Sequence, residues 1–260
     1  MVKIKKNITI SVYFVFLLTF LSFTSCKTKE NVIYEIKTSK IPIENTIIGD
    51  NSLENFILPY RENISKDLSS VLAYNPIDQD KSKGKWETNI GNLFAESTFE
   101  LANPVFKSRT GKDIDICLLN HGGIRSIIPK GNVTTKTAFD IMPFENSVII
   151  VALTGDKVID LAKYIIKERK PHPLFGLTIY TKDNQVLVDK ILVNEKLVEL
   201  NKVYYVATSD YLANGGDNMN FFTSSNEKYD IDYKLRNLFI DYFKKVDTIP
   251  NITTKHIIEE

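Results

Sequence analysis

The sequence predicts an α+β or mixed α/β fold, a single domain in which a mixed sheet is flanked by helices. Three observations lead there. Strand-like and helix-like runs intermix without strict alternation, which disfavours a purely parallel βαβ chain. Short β-branched runs in the second half are separated by turn residues, as at Asn194-Glu-Lys196, and read as hairpins. The chain has 260 residues, 43% of them hydrophobic, which is enough to bury a core.

The elements follow in order. Residues 50–72 carry helical spacing through Leu53, Phe56, Ile57, Tyr60 and Ile64, interrupted or restarted at Pro59. Residues 73–85 are rich in turn formers and read as loop. A helix is expected over 87–101, then a buried strand over 113–120 that runs into His121-Gly-Gly123. Thr134 or Thr135 can cap a short helix that stops before Pro143. Residues 147–153 form a β-branched strand, and 156–167 an amphipathic helix through Val158, Leu161, Ala162 and Ile165. Strands are expected over 177–180, 186–193 and 203–208, and a last helix over 231–244.

The first 25 residues read as an export segment. Lys3, Lys5 and Lys6 precede an apolar run from Ile8 to Phe23, and small residues lead to Cys26. This is the pattern of a lipoprotein signal peptide with Cys26 lipidated; an uncleaved anchor with an incidental Cys is the alternative. Residues 26–40 then form a polar tether and 41–250 the domain. The expected location is the bacterial cell envelope, lipid-anchored to a membrane and facing periplasm or exterior. Several acyl chains on Cys26 would anchor stably, since each buried methylene contributes about 0.8 kcal/mol.

Charge and composition exclude several classes. Lys and Arg number 33 against 32 Asp and Glu, so no global basic field invites a nucleic-acid polymer. Two Cys cannot build a disulfide framework, and three His make an all-His metal site improbable. Cys117 lies in an apolar run and reads as a small buried hydrophobe.

Three segments can carry chemistry. Asn120-His-Gly-Gly-Ile-Arg125 offers an amide, two glycines for close approach and a planar cation. By composition alone, a tight turn with a surface Arg is the favoured reading. Pro143-Phe-Glu-Asn146 puts Phe144 at an element boundary, either projecting from a loop or packed in the core. Tyr211-Leu-Ala-Asn-Gly-Gly-Asp217 joins an aromatic ring, a Gly215-Gly216 bend and a carboxylate. Tyr211 could stack on a base through its ring face, and Asp217 could accept two hydrogen bonds from a diol.

Taken in order, these segments resemble the C-terminal domain of bacterial and animal 5'-nucleotidases. That family carries Asn-x-Gly-Gly-Ile-Arg, Pro-Phe-x-Asn and aromatic-Leu-Ala-x-Gly-Gly-Asp motifs. Glu87-Thr-Asn-Ile-Gly-Asn-Leu93 is similar to a fourth. The resemblance spans residues 40–245 and implies a substrate-recognition domain. It implies substrate-binding roles for Asn120, Arg125, Phe144, Asn146, Tyr211, Gly215, Gly216 and Asp217. The two rings would sandwich the base, and Asp217 would hold the ribose. Where the family often has Arg, this chain has Lys83, Lys85 and Trp86; it also has His121 and Asn218 at usually small positions.

Family enzymes hydrolyse phosphate esters at a two-metal centre in a separate N-terminal domain. No Asp-x-His or Gly-Asn-His-Asp/Glu occurs here, nor a P-loop or Gly-x-Ser-x-Gly elbow. The expectation is therefore no catalytic residue, metal or cofactor in this chain. Divalent metals would reside in a separate metallophosphatase subunit that completes nucleotide dephosphorylation. The alternative is a non-catalytic nucleoside- or nucleotide-binding lipoprotein.

Overall fold

The computed structural model of the chain describes residues 2–22, 35–44 and 46–260. Cys26 and the junction before it lie outside the described residues. The helices are α1 (Val2–Ser22), α2 (Asn51–Leu68), α3 (Asn89–Thr110), α4 (Thr135–Ile141), α5 (Gly155–Glu168), α6 (Asp210–Ala213) and α7 (Leu235–Val246). The strands are β1 (Val71–Asn75), β2 (Ile116–Leu118), β3 (Gly131–Thr134), β4 (Ser147–Thr154), β5 (Leu174–Phe175) and β6 (Leu177–Lys182). They continue as β7 (Gln185–Val186), β8 (Leu192–Val193), β9 (Lys196–Leu197), β10 (Val203–Ser209), β11 (Lys228–Lys234) and β12 (Ile257–Glu259). Among the described residues, no helix is long and apolar enough to cross a membrane.

The chain divides into two units, residues 1–51 and 52–260. The second holds the mixed sheet, ordered β11-β4-β10-β2-β5. β10 pairs parallel with β2 and antiparallel with β4, and β11 is antiparallel to β4. The carboxyl ends of β2, β10 and β11 and the amino end of β4 therefore share one edge of the sheet. Strand β4 shows why this sheet is buried on both faces. Val148 and Ile150 enter one apolar cluster with α3, α4 and α7. Ile149, Val151 and Leu153 enter a second with α5, β6 and β8. Alternation with a period of two sends successive side chains to opposite faces.

Local signals account for the helices. Thr88 caps α3, its side chain accepting from Gly91 N at 3.0 Å. Thr134 and Thr137 form a reciprocal capping box on α4. The helix expected over 87–101 continues to Thr110, across Pro104, and stops at Gly111, which takes a left-handed φ of 73°. Pro59 lies inside α2 without ending it, and α2 has no buried residue.

Several expectations need correction. Residues 231–234 belong to β11, and the last helix starts at Leu235. Lys228-Tyr-Asp-Ile-Asp-Tyr-Lys234 alternates polar and apolar, with a left-handed Asp232 breaking the register. The single strand expected over 186–193 is two short pieces separated by a 3-10 turn at Val188–Lys190. Strand β1 takes up residues read as the end of a helix and the start of a loop, β3 falls in a stretch given no element, and the two pair with each other. The fold also extends past residue 250, because β12 pairs parallel with β6.

The segment 85–87 holds that C-terminal strand. Glu87 Oε1 accepts from His256 N at 2.9 Å and Ile257 N at 2.6 Å. Lys85 pairs with Glu259 and lies over the buried Trp86 ring. Lys85 and Glu87 thus fasten strand β12 to the start of α3. Burial raises the Glu87 pKa, and the two backbone donors oppose that rise.

His172, just before β5, is only 4% exposed, and its Nδ1 accepts from His121 N at 3.3 Å. That bond places the ring proton on Nε2. Burial pulls the His172 pKa down to about 4, against the attraction of Asp217.

Two outcomes follow from these contacts. Glu87→Ala should lower stability by about 1–3 kcal/mol, the range for stranding buried donors, while Glu87→Gln keeps an acceptor and should cost less. Calorimetric melting at pH 7 of both variants measures the difference. His172 is harder to protonate folded than unfolded, so its contribution is full above pH 6.5 and is lost as pH falls through about 4. The loss is on the order of 3 kcal/mol. Urea titrations between pH 4 and 7 should show a shallower slope for His172→Gln than for the natural chain.

Candidate functional site

Three loops meet at the shared sheet edge. The first leaves β2 at Asn120 and turns through His121–Gly123, with Gly123 N donating to Asn120 O at 3.0 Å. The second, Pro143–Asn146, leads into β4. The third leaves β10 through α6 and ends in the Gly215-Gly216-Asp217 bend. Together they enclose a cleft of about 650 Å³, within the range of small-molecule sites. Asn120, Gly122, Gly123, Arg125, Phe144, Glu145, Asn146, Tyr211 and Asp217 line it.

Asp217 is the centre of the polar arrangement. Its Oδ1 accepts from Tyr211 OH at 2.9 Å and its Oδ2 from Asn120 Nδ2 at 2.8 Å. Its amide donates back to Tyr211 OH at 3.2 Å, and its carbonyl accepts from Tyr164 OH at 2.7 Å. A carboxylate offers about four acceptor positions, so each oxygen keeps room for one more donor. Asp217 and Asn218 both take left-handed φ, 52° and 60°, a conformation that Asp and Asn tolerate better than most residues.

Phe144 is 45% exposed and Tyr211 48% exposed, so each presents an open ring to the cleft. Phe144 is therefore a projecting loop residue, the reading the sequence left open. Arg125 lies 5.8 Å from the Phe144 ring centroid and donates to Gly122 O at 3.1 Å. Asn146 directs its amide at Asp210 Oδ1, 2.6 Å away, and the same oxygen accepts from Tyr211 N at 2.7 Å. Asn146 thereby fixes the start of the Tyr211 helix while also lining the cleft.

Gly215 and Gly216 sit on the far side of Tyr211, along a shallow groove with Asn214 and Asp210. A Cβ on Gly216 would stand 2.5 Å from the Tyr211 ring. The bend thus seats the ring. The structure also changes the expectation for Tyr211: its hydroxyl orients Asp217, in addition to whatever its face does.

Sequence reading missed Tyr164, Glu145, Asp210 and Lys81. Lys81 Nζ donates to Ile124 O, beside Arg125. Burial first, and the Arg125 charge second, hold its pKa below the ordinary lysine value. Glu145 lies inside the Pro143–Asn146 segment and lines the cleft itself, whereas Tyr164, Asp210 and Lys81 act on its walls through contacts with Asp217, Asn146 and Ile124. Among the described residues, no group of three or more His, Cys, Asp or Glu is placed to hold a metal ion. Cys117 is buried and its thiol is pushed up by desolvation.

Comparison with known proteins adds the relationship. The family pattern described as "5'-nucleotidase, C-terminal domain" matches residues 69–224. The 5'-nucleotidase of Vibrio vulnificus is 26% identical over 196 residues, covering 73% of this chain and 33% of the relative. Protein UshA of Escherichia coli is 28% identical over 147 residues, 54% of this chain and 24% of UshA. Among solved structures, a 5'-nucleotidase precursor from Thermus thermophilus superposes with a TM-score of 0.67 at 20% identity. That superposition covers 79% of this chain and 42% of the other. The chain spans about a third of the length of the Vibrio relative. By its matched residues and by its fold, the chain belongs to the 5'-nucleotidase C-terminal domain family.

Proposed function

We propose that this chain recognises the nucleoside part of a nucleotide in the cleft between Phe144 and Tyr211, and that a separate metallophosphatase polypeptide performs the dephosphorylation. The observation that carries the reading is the Asp217 carboxylate, held between Tyr211 OH and Asn120 Nδ2 beside two half-exposed rings. Planar faces suit a base, and the remaining acceptor capacity suits a vicinal diol. Arg125 adds a cation for sugar or phosphate oxygens. The Vibrio relative named above is called a 5'-nucleotidase, which supports placing this cleft in a nucleotide-hydrolysing system.

Anchoring is part of the proposal. Lipid on Cys26 would hold the domain at the surface of a bacterial envelope membrane, with the cleft open to nucleotides outside the cytoplasm.

Calorimetric titration with adenosine, AMP and a ribose-free base tests the site. Phe144→Ala should weaken adenosine by roughly 1–3 kcal/mol, about tenfold to a hundredfold. Asp217→Ala should weaken ribonucleosides more than the free base and erode discrimination against 2',3'-dideoxy analogues. Tyr211→Phe keeps the stacking face but releases Asp217 Oδ1, so it should show a milder form of the same selectivity. Unchanged affinity in folded variants would remove the nucleoside site from this cleft.

Activity and anchoring have their own measurements. The purified chain should not hydrolyse AMP with Mg²⁺, Mn²⁺, Zn²⁺ or Co²⁺ and should enhance turnover by a cognate metallophosphatase. Sustained metal-dependent turnover by this chain alone would refute the division of labour. Cys26→Ser should abolish metabolic acyl labelling; normal labelling of that variant would refute the anchor.

A further inference from the structure

Phe144 stands in a loop, yet its backbone is gripped from one place. Three consecutive residues at the junction of β11 and α7 hold three consecutive carbonyls of the cleft segment. Arg236 Nη2 donates to Phe144 O at 3.3 Å. Lys234 Nζ donates to Glu145 O at 3.0 Å, and Leu235 N donates to Asn146 O at 2.9 Å. Lys234 also reaches Ser147 Oγ at 2.7 Å, the first residue of β4. None of residues 234–236 is among those lining the cleft.

Arg236 is unusual for its place. Its side chain is only 6% exposed, and its Nε has no partner. Its Cζ lies 4.1 Å from the Phe139 ring centroid, and its Nη2 also pairs with the Glu145 carboxylate. Burying a guanidinium is unfavourable unless it is hydrogen-bonded, and an apolar side chain at the start of α7 would avoid that penalty. What the cation does that an apolar residue could not is bond the carbonyl beneath Phe144 while it ties back the adjacent acid.

We infer that Lys234-Leu235-Arg236 is a positioning clamp for the Phe144 ring, and that Arg236 tunes recognition of a planar base without touching it. The inference rests on the nucleoside reading of the cleft. A ring whose backbone is already fixed has less freedom to lose when a ligand stacks on it. Residues 234–236 lie some ninety positions from Phe144 in the chain, and the antiparallel pairing of Lys234 with Ser147 brings them together.

The test uses the full-length chain in detergent, with adenosine and ribose 5-phosphate as ligands. The variants are Arg236→Gln, Arg236→Lys, Lys234→Met, Phe144→Ala and the Arg236→Gln/Phe144→Ala pair. Arg236→Gln should weaken adenosine by about three- to tenfold, through lost pre-organisation. Ribose 5-phosphate affinity should stay within about twofold, since its contacts do not involve the Phe144 ring. Arg236→Lys should restore part of the adenosine affinity. In the Phe144→Ala background the Arg236 change should add nothing, because it acts through that ring. If Arg236→Gln fails to fold, Lys234→Met carries the same comparison. Equal weakening of both ligands, or losses that simply add in the double variant, would overturn the clamp. Hydrogen exchange at the amides of 144–147 is read in parallel without ligand, and should quicken in Arg236→Gln and Lys234→Met. If the natural chain binds no adenosine, the nucleoside reading fails and exchange alone decides the clamp. Exchange as slow as in the natural chain, in folded variants, overturns it.

Discussion

The site exists because of how one strand is paired. β10 runs parallel to β2 and antiparallel to β4, while β11 runs antiparallel to β4. Reversing β2, β4 or β10 would send its loop to the opposite edge of the sheet. As built, Asn120, Phe144, Tyr211 and Asp217 converge although they are separated by up to 97 positions in the chain. The strands supply the register from buried aliphatic contacts on both faces, and the loops supply the polar chemistry. Location beyond the carboxyl ends of the parallel pair is where open sheets commonly leave a crevice.

Within the crevice, polar groups are spent on one another before any ligand arrives. Tyr211 and Asn120 orient Asp217, and Asp210 joins Asn146 to the Tyr211 backbone. Such mutual bonding fixes the acceptor directions that a diol would meet, and it leaves the ring faces open. The buried Arg236 extends this principle one layer outward, from side chain to backbone carbonyl.

Much of this was legible from the chain alone, and the rest was not for identifiable reasons. The loop residues stood out because Gly-Gly bends, a boundary Phe and a following carboxylate are locally distinctive. The capped start of α4 could be read from Thr134 and Thr135. Strand β11 was missed because Ile231 fits a helical spacing with the apolar residues of α7 as well as it fits an alternating one. β1, β3 and β12 are short, and their stability comes from partners far away in sequence, which no local pattern records. Asp210, Tyr164 and Arg236 likewise acquire their roles only through tertiary contact. Lys85 and Trp86 stand out in the sequence as departures from the family and Glu87 as a match to it, but the attachment of Lys85 and Glu87 to β12 is visible only in the fold.

The contact between Gly216 and the Tyr211 ring has a consequence for how this cleft can diversify. With a hypothetical Cβ only 2.5 Å from the ring, residue 216 cannot enlarge while that ring stays in place. Enlarging residue 216 demands that the aromatic be displaced or lost, and a displaced aromatic releases the carboxylate it orients. Drift in ligand preference is thereby steered away from this loop and toward the opposite wall, where the Glu145 side chain is largely exposed although paired with Arg236. Homologous lineages that bind different ligands should then differ first around the Phe144 segment, with position 216 enlarging only where position 211 has already changed.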